Sequence, residues 1–179
     1  MEIVETLDNT DRIALIKFLR EQYDLRLKSD SHFRGIFSSH IDIVINRPHF
    51  FKVHLFAADY KTIFIGFNLH QRAPYYQTLF EVVEYIQNNE NILHESGGRT
   101  GTLDGNEVKK YLNAFNNNTI DLQNCFVQAG NCFMQEDNYH PSGGKNITDG
   151  MHRLVAYGLA SELKDEFFPI PIYFGTDFT

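Results

Sequence analysis

The stretch Asn146-Ile147-Thr148-Asp149-Gly150-Met151-His152-Arg153-Leu154-Val155-Ala156-Tyr157 decides how this chain is read. It predicts a strand, a tight turn on the Asp149-Gly150 pair, and a helix that opens with His152 and Arg153. Asp is among the best N-cap residues, so the start of that helix is specified by the sequence. A helix start exposes backbone N–H groups and the positive end of the macrodipole. A His and an Arg in its first turn therefore predict a phosphate site. The same letters also fit a capped surface helix with no ligand.

The helical spacing continues through Leu154, Val155, Leu159 and Leu163, with Glu162, Lys164, Asp165 and Glu166 near the end. Phe167 to Gly175 then predicts a strand, in which Pro169 and Pro171 suit a strand start or an edge.

Asp149, Gly150, His152 and Arg153, followed by the small Ala156, give the chain a turn that resembles the signature of the ParB/sulfiredoxin-like superfamily. The resemblance covers roughly residues 104 to 179. It implies a helix over Asp104 to Phe115, a central strand over Ile120 to Val127, and a turn that holds nucleotide phosphates. Sulfiredoxins carry a catalytic cysteine inside this turn. Met151 stands there instead and cannot act as a nucleophile, so sulfinic acid reduction is not expected. Chromosome-partitioning members use a more basic turn followed by a helix-turn-helix reader, for which the sequence after the last strand leaves no room. The turn is most similar to the Asp-Gly-His-His-Arg type of the superfamily's free amino-acid kinases, which implies ATP or another nucleotide, with Mg2+, as cofactors.

Composition bounds these readings. The 179 residues suffice for one domain or two small ones, and the formal charge of -7 disfavours life on a nucleic-acid backbone. Between Asp104 and Thr179 stand ten acidic and five basic side chains, and two of the five, Lys145 and Arg153, flank the turn. Scarce positive charge gathered at one loop is what a small anion needs. Cys125 and Cys132 lie in or beside apolar runs without metal-ligand spacing, as buried thiols do. Met1 to Asp8 is acidic and no apolar run approaches a membrane span, which predicts a soluble cytoplasmic chain.

The first half predicts an α+β layer: an amphipathic helix over residues 10–27, strands at Ile41 to Ile45, Phe50 to Phe56 and Lys61 to Leu69 paired antiparallel, and a helix at Tyr75 to Gln87. The expected fold is thus α+β, a small mixed sheet with helices, divided into an N-terminal region of residues 1–95 and a nucleotide-binding region of residues 96–179, or one continuous domain. Its 16 Phe and 9 Tyr could stack nucleic-acid bases, but they alternate with Ile, Val and Leu as core positions do. The Gly- and Asn-rich stretch from Asn88 to Gly105 reads either as a flexible linker or as a loop that closes over a ligand, and the linker is the preferred reading.

Two loops complete the candidate site. His140 to Lys145 precedes the signature strand, and a short hairpin there would carry Gly143, Gly144 and Lys145 toward the turn. Glu136 and Asp137 are the candidate magnesium ligands. The cofactor-binding set is Gly143, Gly144, Lys145, Asp149, Gly150, Met151, His152 and Arg153, and the catalytic set is Asp149, His152 and Arg153. In a phosphotransferase acting on a small hydroxyl-bearing acceptor, Arg153 would stabilise the transferring group and His152 would bind phosphate or orient the acceptor. Asp149 would cap the helix or meet the acceptor hydroxyl. The alternative is a nucleotide-sensing or nucleotide-sequestering module whose first region meets a protein partner. A nuclease or a DNA-associated role ranks below both.

Overall fold

The computed structural model describes residues 1–29, 39–65, 77–94, 103–117, 122, 124–129 and 145–178. Among them are five helices and one mixed sheet of seven strands, an α+β fold. The strands are β1 (Glu2–Thr6), β2 (His49–Leu55), β3 (Ile63–Ile65), β4 (Gln77–Thr78), β5 (Phe126–Ala129), β6 (Lys145–Asp149) and β7 (Ile170–Thr176). The helices are α1 (Asn9–Ser29), α2 (Ser39–Ile45), α3 (Leu79–Asn88), α4 (Gly105–Asn116) and α5 (Met151–Ser161). The sheet order is β1-β2-β7-β5-β6-β3-β4, which puts β5 at the centre.

Alternation on the central strands builds two cores. Cys125 and Val127 face one side with Val53, Leu55, Ile63, Ile65, Ile170 and Ile172, under α3 and α5. Phe126 faces the other side with Phe50 and Tyr173, beneath α1 and α2. There the ring centroids of Phe50 and Tyr173 lie 5.7 Å apart and those of Tyr173 and Phe126 5.1 Å apart, so these aromatics are core stacks between strands. Helix α4 packs outside α5. Tyr60 is fully buried and its hydroxyl donates to the Leu154 carbonyl of α5 at 2.9 Å, which satisfies its polar end. Gly158 lets α5 approach α3, since a Cβ there would come within 2.7 Å of Val83 Cγ2.

Several local expectations are corrected. Ile41 to Ile45 is not a strand but the body of α2. Ile41, Val44 and Ile45 stand at helical spacing and are buried, while Ile43 points outward; a five-residue apolar run fits both periods, and tertiary packing chose. The three expected antiparallel strands are not neighbours either. β7, β5 and β6 separate β2 from β3, and β3 pairs parallel with β6. The unexpected β1 is a fully exposed edge strand and so carries no hydrophobic alternation to read. α3 starts later than expected because Thr78 and Glu81 form a capping box. Strand β5 begins only at Phe126, after a turn that closes with Cys125 N–H donating to the Leu122 carbonyl. α5 ends at Ser161, so Leu163 lies past it, with Glu162 and Leu163 both at positive φ.

β7 is interior, not an edge, and its prolines stand at its start, Pro169 just before it and Pro171 at its second position. Tyr173 N–H donates to Cys125 O, so the amides of residues 171, 173 and 175 point toward β5. The β5 ladder begins opposite Tyr173, and the missing N–H of Pro171 therefore costs no strand bond.

Strands from both sides of residue 96 are interleaved in this one sheet. The Glu90–His94 segment forms a 3-10 turn with Ile92 buried, while residues 95–102, where the linker or lid was expected, lie outside the described residues. Among the described residues no helix is long and apolar enough to cross a membrane.

Candidate functional site

β6 ends at Asp149, Gly150 turns the chain, and α5 begins at Met151, as the sequence predicts. Gly150 stands at φ 86, a left-handed conformation that L side chains rarely adopt. Its position is also closed to a side chain, because a Cβ would lie 2.5 Å from Cys125 Sγ and 3.0 Å from Cys125 Cα. Cys125, the residue just before the central strand, thus presses on the underside of the turn. Above it, the Gly150 carbonyl accepts the Leu154 N–H at 2.9 Å, the first bond of α5.

Asp149 does not cap the helix. Gly150 occupies the N-cap position, with no side-chain cap bond, and the first turn holds no acidic residue. The Asp149 carboxylate instead accepts from Arg153 Nη2 at 3.0 Å, and the same nitrogen donates to the Asn124 carbonyl at 2.9 Å. Arg153 therefore ties the end of β6 and the approach to β5 onto the first turn of α5.

His152 has an equally definite partner. Its Nε2 accepts the backbone N–H of Asp104 at 3.1 Å. Asp104 in turn caps α4, its carboxylate accepting from Asn106 N–H at 3.0 Å and Glu107 N–H at 3.2 Å. Burial lowers the His152 pKa from its ordinary value, against the opposite pull of Glu107, Asp104 and Asp149, with Arg153 adding to the lowering. The ring is neutral near pH 7. Met151 is buried in the core, so it offers the outer face of the turn its backbone only.

Lys145 does not reach the turn. It begins β6 and Asp149 ends it, which separates them by about 13 Å of extended chain. The Lys145 ammonium lies 4.0 Å from Asp59, a carboxylate that also accepts the Met1 ammonium at 2.6 Å and Phe56 N–H at 2.9 Å. Gly143, Gly144, Glu136 and Asp137 lie outside the described residues. Among the described residues no group of three or more His, Cys, Asp or Glu side chains could hold a metal ion.

Asn124, Cys125 and Asp104 complete the site and were not read from the sequence. Asp104 carried a signal, an Asp-Gly-Asn-Glu helix start, but nothing in sequence spacing joins it to a histidine 48 positions away. A helix start with glycine at its N-cap and a guanidinium beside it suit a phosphate. Comparison of the chain with protein families, with curated proteins and with solved structures finds no match.

Proposed function

We propose that this chain binds a phosphate-bearing nucleotide at the β6–α5 turn and acts there as a nucleotide-sensing or nucleotide-sequestering module. The observation that carries the reading is the start of α5, where the N-cap Gly150 has no side chain to bond the first-turn amides and Arg153 stands in the same turn. Such amides and the helix dipole attract an anion without any further device. The binding form is preferred to transfer because His152 accepts from Asp104 N–H and Arg153 bonds Asp149 and Asn124. The two side chains that a transfer reaction would use to orient an acceptor and clamp a phosphate thus already hold the fold. We take the setting to be the cytoplasm, where nucleotides are held.

Phosphotransfer from ATP with Mg2+ to a small hydroxyl-bearing acceptor is the second reading. The Asp149 carboxylate favours it, being 42% exposed immediately before the turn and able to meet a hydroxyl. Thermal-shift and calorimetric titration with nucleoside mono-, di- and triphosphates tests the first reading. The expected result is nucleotide binding that inorganic phosphate competes away, since in this reading the first-turn amides hold the phosphate. No stabilisation by any nucleotide would overturn it. Labelled ATP incubated with magnesium and hydroxyl-bearing metabolites separates the two, since Arg153-dependent transfer establishes the second.

A further inference from the structure

We propose that His152 is a proton-sensitive latch: its ring, carrying its proton on Nδ1, holds the N-cap of α4 to the first turn of α5, and protonation at Nε2 releases it. The inference concerns the packing of two helices and does not depend on whether the turn binds a nucleotide.

A backbone N–H can only donate. Since Asp104 N–H points at His152 Nε2 at 3.1 Å, that nitrogen must present its lone pair, and the ring proton must stand on Nδ1. A second proton would set two N–H groups against each other and leave the Asp104 amide without its acceptor. The bond lies at a sensitive place. Asp104 is the capping residue of α4, Leu103 before it is buried in the core, and α4 packs along α5.

The charged groups that act on the ring come from three elements. Asp104 and Glu107 at the start of α4 and Asp149 at the end of β6 favour the cation, whereas Arg153 of α5 and, most of all, burial oppose it. A native ring that resists protonation couples folding to proton release. Its contribution is whole above the ordinary imidazole value of about 6.5 and is lost as pH falls from there through the depressed native value.

Nitrogen-detected NMR of the histidine rings in the full chain, with amide hydrogen exchange from pH 8 to pH 5, tests the latch. The expected result is an Nδ1–H tautomer for His152 at pH 8, and an Asp104 amide whose protection collapses as the ring titrates. In His152→Gln, whose side-chain oxygen can accept at every pH, the Asp104 amide stays protected across the range. An Nε2–H tautomer at pH 8 in the unmodified chain would overturn the proposal without recourse to any variant. So would an Asp104 amide that remains protected after His152 has taken up its proton.

Discussion

At Gly150 two independent constraints meet on one residue: a positive φ and a side-chain position already filled by Cys125. Gly150→Ala should destabilise the protein by about 2–4 kcal/mol, from the left-handed backbone and from overpacking against Cys125 together. Urea unfolding measures this, and a loss below about 0.5 kcal/mol would mean that the turn relaxes freely. Asp149, Gly150, His152 and Arg153 could all be picked out from the sequence, because turn chemistry and a helix start are local. Their partners could not. The reading of Asp149 as an N-cap was reasonable on propensity, yet Arg153 four residues on competes for the same carboxylate and holds it. Nothing local signals that Cys125 packs under Gly150 or that Asp104 meets His152, since those contacts exist only once β5 and α4 are in place.

Among the elements, legibility followed burial and length. α5 and α4 are readable because each couples an apolar stripe to a marked start, and β2 because a run of strand-forming residues follows the turn-like Asn46 to His49. α2 is not, being seven residues long with an apolar run that suits either period, and β1 is not, because none of its residues enters the core. The caps have measurable weight. Asp104→Ala removes the acceptor of the Asn106 and Glu107 amides and should cost about 1 kcal/mol, while the His152 bond to the Asp104 backbone persists. Chemical denaturation read alongside Asp104 amide exchange checks both halves. If the stability loss came with full loss of Asp104 protection, the cap and the His152 bond would be one cooperative unit instead of two separable ones.

For the whole molecule, the order of strands matters more than their number. A cut near residue 95 would leave β1 to β4 on one piece and β5 to β7 on the other. In the sheet, however, β7, β5 and β6 stand between the β1–β2 pair and the β3–β4 pair. On the first piece alone, β2 would lose β7, β3 would lose β6, and the Tyr60 hydroxyl would lose its acceptor on α5. Two isolated strand pairs have too little shared core to persist in water. The second piece would keep β7-β5-β6 but lose both flanking pairs, and with them Phe50 and α2 from one core and Val53, Leu55, Ile63 and Ile65 from the other. The full chain should therefore unfold in one transition, with thermal curves from far-UV and near-UV circular dichroism superimposing. Neither residues 1–95 nor residues 96–179 expressed alone should give a cooperative melt, and mixing them should restore one. A cooperative melt from residues 1–95 alone would show that the first half carries a self-sufficient core, and that the shared sheet is a docking of two folded units.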